Sequence, residues 1–202
     1  MIDAKRLFDK IREIKGNPLT QAEVDAVNAI LQPVMATPQL SRDPMPHPKL
    51  SVDVLKAAQL SQLRWNIPSS VSLAQFALES GWGQHMPAGS NNPFGIKARV
   101  RDGRVIEPFV SATTREQDFH GQANWTGPQP FRKFGSIAEA FDYHGQLLAT
   151  GAPYEHARTL LPDADSFADA LTGVYATDRN YGTTLKSIMR SQGLYAYNAV
   201  SA

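Results

Sequence analysis

The chain has 202 residues, 42% of them hydrophobic, a formal net charge of +1 and no cysteine. That length and apolar content suit one well-buried core with a small accessory unit, and they exclude a disordered chain. The near-neutral charge gives no reason to expect a nucleic-acid partner, and the missing Cys removes disulfide frameworks, thiolate nucleophiles and thiolate metal sites.

At the start, Ala4, Leu7, Phe8, Ile11 and Ile14 recur at helical spacing. Thr20 with Glu23 forms a capping box that leads into Val24, Val27, Ile30 and Leu31. Residues 1–32 therefore read as a helical hairpin turning at Gly16-Asn17-Pro18. Charges at Asp3, Lys5, Arg6, Asp9, Lys10, Arg12 and Glu13 leave no apolar core for a secretory signal, and no later stretch is suited to spanning a bilayer. The expectation is a protein made in the cytoplasm without stable membrane insertion. Prolines at 33, 38, 44, 46 and 48 mark residues 33–49 as a linker or an extended strap. The main domain then runs over residues 50–202.

Val52, Leu55, Leu60 and Leu63 predict a helix before Trp65-Asn66-Ile67-Pro68, and Ser69 or Ser70 is placed to cap the next one. From Val71 to Ser80 that second helix is apolar nearly all round, the pattern of a buried helix. It ends on Glu79-Ser80-Gly81-Trp82-Gly83, so one carboxylate surfaces beside a Trp and two glycines. The negative end of the helix dipole and partial burial should both raise the Glu79 pKa, as a general acid at neutral pH requires.

Beyond it, Ile96–Arg101 and Arg104–Val110 flank Asp102-Gly103, a tight hairpin turn. A second β pair is predicted from Val110–Phe119 and Pro130–Phe134. Ser136 with Glu139 forms another capping box, opening a helix with Phe141, Tyr143, His144, Leu147 and Leu148. Phe167, Ala170, Leu171 and Val174 suggest a further helix, and Leu185, Ile188 and Met189 another that Gly193 terminates. The fold class is α+β, predominantly α: a helical body with a small β-hairpin lobe behind the Glu79 helix, and a cleft between the two lobes.

Cleaving a glycosidic bond takes one acid to protonate the leaving oxygen, and a second carboxylate, a water or the substrate's own acetamido group to complete the displacement. Strand alternation puts Thr114, Glu116 and Asp118 on one face, so Glu116 and Asp118 are both candidates for the partner. Glu107 is a weaker third, because Pro108 beside it suggests an edge or bulge.

The Glu79 motif, Asn91-Asn92-Pro93-Phe94-Gly95-Ile96-Lys97, Thr114-Arg115-Glu116, Phe131-Arg132-Lys133-Phe134 and Tyr175-Ala176-Thr177-Asp178-Arg179-Asn180-Tyr181 follow in order. From about Leu50 to Asn198 the chain resembles glycoside hydrolase family 73, bacterial and phage β-N-acetylglucosaminidases that cut peptidoglycan. The resemblance implies a lysozyme-like two-lobed fold, Glu79 as general acid, Glu116 as the β-lobe carboxylate and Tyr175 lining the cleft. Gln117-Asp118-Phe119-His120-Gly121 is longer than the short turn expected after that Glu, which keeps Asp118 as a rival. Leu7-Phe8-Asp9 with Leu19–Leu31 resembles the N-terminal module of phage lysis enzymes, and so points to a phage or prophage endolysin.

Trp82, Asn91, Asn92, Phe94, Tyr175 and Tyr181 are the candidate substrate contacts, although Phe94 and Tyr181 also suit a core and the two Asn suit turns. Arg132 and Lys133 read as a solvated strand face. The histidines lack metal-site spacing, so no metal and no cofactor are expected. Ser80 is outside any Gly-x-Ser-x-Gly elbow. The partner is bacterial peptidoglycan, met in the periplasm after release or from a virion, by a protein expected to be a monomer. Two alternatives stand beside hydrolysis: a lytic transglycosylase, and a non-catalytic wall-binding or virion-structural module.

Overall fold

The computed structural model describes residues 10–11, 13–16, 19–27, 38–117 and 123–198, without the side chains of 114–117 and 123–126. Two units divide between Gln39 and Leu40, inside the proline-rich segment. In the first, residues 21–27 are helical. The capping box closes as expected: the Thr20 backbone N–H donates to Glu23 Oε2 at 2.8 Å, and Glu23 N–H donates back to Thr20 Oγ1 at 3.4 Å. Asn17, Pro18, Ile30 and Leu31 lie outside the described residues.

The second unit carries the helices α1 (Val52–Trp65), α2 (Ser69–Ser80), α3 (Ile137–Thr150), α4 (Glu155–Arg158), α5 (Ala164–Ala170) and α6 (Tyr181–Ser191). Its strands are β1 (Val100–Arg101), β2 (Arg104–Val105), β3 (Phe109–Gln117) and β4 (Ala123–Arg132). This is the predominantly helical architecture expected from the sequence, with two small antiparallel sheets as the β lobe. The strap before α1 belongs to this unit: the Tyr197 hydroxyl donates to the Pro46 carbonyl at 3.3 Å, and His47 stacks on Trp82. No helix among the described residues is long and apolar enough to cross a membrane.

Helix α2 is the axis of the core, buried from Ser69 through Ala77. Val71, Leu73 and Ala74 are fully buried, together with Leu55 of α1, Phe141 and Leu148 of α3, Phe167 of α5, and Leu185 and Met189 of α6. Helices α1 and α3 cross at Gly145, where an added Cβ would meet Ser61 Oγ at 2.2 Å. At that crossing Ser61 Oγ donates to the Phe141 carbonyl at 2.8 Å, and the Trp65 indole donates to Asp142 at 2.8 Å.

The start of α2 corrects an expectation. Neither Ser69 nor Ser70 caps it; the cap position is Pro68, which has no side-chain donor or acceptor to offer. Gln62 of α1 takes over, its Oε1 accepting from Ser69 N–H at 2.7 Å and Ser69 Oγ at 2.8 Å, while Asn198 Oδ1 accepts from Ser70 N–H at 2.8 Å. Orphan N–H groups at a buried helix start need such partners, and here they come from across the core.

In the β lobe, β1 and β2 are shorter than the sequence suggested, two residues each around Asp102 (φ 50) and Gly103 (φ 74), both left-handed as a two-residue hairpin turn demands. The longer hairpin pairs β3 with β4 antiparallel, with an irregularity between Ala112 and Thr114, and its second strand begins at Ala123 rather than near Pro130. Val174, expected on a helix with Phe167, falls beyond the end of α5 and is 45% exposed.

Candidate active site

Glu79 occupies the last turn of α2, and Gly81 ends the helix in the left-handed conformation with φ 54. A side chain at Gly81 would be strained there, and its Cβ would lie 2.6 Å from His85 Cδ2, so the ring of His85 depends on the bare backbone. Glu79 is exposed over much of its surface, yet it lines a groove of about 620 Å³ where the surrounding protein partly desolvates its carboxylate. That loss of hydration raises the Glu79 pKa, opposed by a hydrogen bond from the Tyr181 hydroxyl to Oε1 at 2.8 Å. Tyr181 is 2% exposed. Its hydroxyl in turn accepts from Gln75 Nε2 at 3.0 Å.

The groove is lined by Glu79, Gln84, His85, Met86 and Pro87 on one side, and by Asn92, Gly95, Lys97, Ala112, Thr113 and Phe131 on the other. It therefore runs between the end of α2 and the β lobe, as a two-lobed fold requires. The lobe is tied to the helical body through residues 90–98. Ala98 N–H donates to Pro130 O at 2.9 Å, Arg132 N–H to Ile96 O at 2.9 Å, and Phe134 N–H to Ser90 O at 2.8 Å.

Of the residues singled out from sequence, Glu79 and Asn92 line this groove. Asn92 is 1% exposed and spends its amide on the backbone: Nδ2 donates to Ile96 O at 2.8 Å and Arg132 O at 2.9 Å, and Oδ1 accepts from Ile96 N–H at 3.0 Å. Asn91 donates to Phe134 O at 3.0 Å. Both side chains are loop clamps. Phe94 is a core residue rather than a cleft wall, 4% exposed and stacked on His144 at 4.0 Å. Trp82 lines a neighbouring groove with Pro48, Lys49, Leu50, Ser51 and Gln84, with Lys49 Nζ 4.8 Å from its ring.

Tyr175 is half-buried and stacks on Tyr181 with centroids 5.7 Å apart, its hydroxyl donating to Phe94 O at 3.4 Å. Burial first, and the nearby Glu79 charge second, raise the pKa of Tyr175. For Tyr181 burial again leads, followed by Tyr175 and Glu79, and both phenols stay protonated at Glu79's side.

Glu116 sits opposite Asn124 in the hairpin register, three residues further along β3 than Thr113, about 10 Å at strand rise. Its side chain and the whole of Asp118 lie outside the described residues. Glu107 is committed elsewhere, paired with Arg99 at 2.6 Å and Arg132 at 2.5 Å. Burial would raise its pKa, but hydrogen bonds from the Arg99 backbone and side chain and the charge of Arg132 lower it on balance. Arg132 is accordingly not a solvated strand residue: it is paired with Glu107 and lies 3.8 Å over the Tyr143 ring. Ser80 is buried and occupied, donating to Phe76 O at 2.6 Å and accepting from Gly83 N–H at 2.8 Å.

Sequence reasoning missed Gln75, His85, Ala112, Thr113 and, as a groove residue, Phe131. Gln75 carried a legible signal, since a Gln four residues before Glu79 shares its helix face. The others come to the groove through loop geometry and strand register, which local pattern does not encode.

Residues 55–194 match the glucosaminidase family model, described as mannosyl-glycoprotein endo-beta-N-acetylglucosaminidase. The exo-glucosaminidase LytG of Bacillus subtilis is 27% identical over 150 residues, 71% of this chain and 51% of LytG. The peptidoglycan hydrolase FlgJ of Escherichia coli K12 is 36% identical over 140 residues, 66% of this chain and 42% of FlgJ. The chain thus spans about half the length of the curated relatives it matches. A C-terminally truncated glycoside hydrolase domain of Salmonella typhimurium FlgJ superposes with a TM-score of 0.53 at 34% identity, covering 69% of this chain and 95% of that domain. The match over residues 55–194, more than half of the sequence, places the chain in the glucosaminidase family, glycoside hydrolase family 73.

Proposed function

We propose that the chain is a peptidoglycan hydrolase that cleaves the β-1,4 bond after N-acetylglucosamine, with Glu79 protonating the leaving oxygen. The observation that carries this reading is the environment of Glu79: a carboxyl open to a groove, partly desolvated and held on one oxygen by Tyr181. Desolvation keeps a proton on the acid at higher pH, and the Tyr181 bond fixes the group's direction. As the glycosidic bond lengthens, the proton moves from Glu79 to the departing oxygen, and water completes the displacement with help from Glu116, Asp118 or the substrate's acetamido group. Bacterial cell-wall glycan is the substrate, no metal or cofactor takes part, and the protein works as a monomer in cell lysis as a phage or prophage endolysin.

A lytic transglycosylase is the second reading, favoured by one fact. Glu79 is the single carboxylate among the described residues lining the groove, and such an enzyme needs only one acid that later serves as base. Mass spectrometry of digested sacculi separates the two. Hydrolysis leaves new reducing-end N-acetylglucosamine, whereas 1,6-anhydro-muramic ends as the main product overturn the hydrolase reading. Tight wall binding with no new ends of either kind points to a non-catalytic module.

A further inference from the structure

Gln75 lies one helical turn before Glu79 on the same face of α2, fully buried, and its amide nitrogen meets the Tyr181 hydroxyl at 3.0 Å. Its own Oε1 has no partner among the described residues. An unpartnered buried carbonyl oxygen carries a desolvation cost that an apolar side chain of equal volume would not incur. The bond to Tyr181 is what the amide provides in return.

Resting on the reading of Glu79 as the acid, we propose that Gln75, acting through Tyr181, fixes which oxygen of Glu79 carries the catalytic proton. A phenol has one hydrogen. Because the Tyr181 oxygen accepts from Gln75, its hydrogen is directed to Glu79 Oε1. Oε1 is then an acceptor, and the acid's proton resides on Oε2, the oxygen that Tyr181 does not hold. The reverse chain, with Oε1 protonated and donating to Tyr181, would point the proton into the protein. That chain needs either the amide turned over, leaving a buried NH2 without an acceptor, or the phenol oxygen accepting twice with its own hydrogen left without an acceptor. Gln75 is therefore a positioning residue: it touches neither substrate nor the reacting atoms.

The test measures kcat, KM and the pH–rate profile on peptidoglycan for Gln75→Met and Gln75→Glu, each alone and combined with Tyr181→Phe. Gln75→Met keeps the volume and removes the donor. It should lower kcat about 10-fold, the scale of a misdirected proton transfer, with KM within about twofold of wild type. With Tyr181 already replaced by Phe it should cost nothing more. Gln75→Glu should match wild type at acid pH, where a protonated carboxyl donates as the amide does. It should fail as the pH rises, because the ionised form draws the Tyr181 hydrogen away from Glu79. An unchanged kcat and profile in Gln75→Met, or an equal loss in the Tyr181→Phe background, overturns the proposal. Should Gln75→Met not fold, a wild-type profile in Gln75→Glu overturns it alone. An active Glu79→Gln sinks the reading of Glu79 itself; an inactive one beside unaltered Gln75 variants removes only the role of Gln75.

Discussion

At Glu79 and His144 the same physical cause acts with opposite sign. Loss of water disfavours charge, so it raises the carboxyl pKa of Glu79 and pushes the imidazole of His144 down to about 3. His144 is fully buried against Phe94, with Tyr175 edge-on at 5.9 Å, and neither ring nitrogen has a partner among the described residues. Its folded pKa lies below the ordinary 6.5, so the stability of the neutral form is complete above pH 6.5 and is lost as the pH falls toward 3. Wild type should lose up to about 1.4 kcal/mol per pH unit across that window relative to His144→Phe, as read from urea midpoints at successive pH values. Parallel curves for the two proteins would refute this. For Glu79 in its proposed role as the acid the sign is reversed: activity should decline as the pH rises through its elevated pKa.

Among the elements, the segment from Ser90 to Ala98 does the most to shape the groove. Asn92 holds it with three backbone hydrogen bonds, joining the loop to itself at Ile96 and to β4 at Arg132. Asn92→Ala leaves those backbone groups without partners and should cost about 2–4 kcal/mol in chemical denaturation, with activity falling as the β lobe loosens. A loss under about 0.5 kcal/mol would mean that the clamp is dispensable. Elements whose signals are local were legible in the sequence: the capping boxes at Thr20–Glu23 and Ser136–Glu139, the Asp102-Gly103 turn, and the buried α2 ending at Gly81. What failed was whatever depends on distant partners. The cap of α2 comes from Gln62 and Asn198, and Arg132 is turned from solvent by Glu107 and Tyr143. Gln62 lies seven residues before Ser69 but outside the local cap pattern, and Asn198 and Glu107 lie 128 and 25 residues from Ser70 and Arg132.

For the whole molecule, a helical body built around α2 delivers one acid to a groove closed on its far side by a hairpin, and the family match spans that body and lobe together. The acid itself was legible because the motif around Glu79 is contiguous. Its supporting chain was less so, since Tyr181 is 102 residues away and reads equally well as core. The central claim is that this groove breaks glycan bonds with the proton of Glu79. Digestion of purified sacculi by wild type and Glu79→Gln, with thermal unfolding of both, tests it most directly. Gln keeps the size of the side chain and an oxygen for Tyr181 but has no acid proton to give. The expected result is a loss of at least about 10³-fold in released fragments with unfolding midpoints within a few degrees. Lysis by Glu79→Gln within a few-fold of wild type would contradict the account.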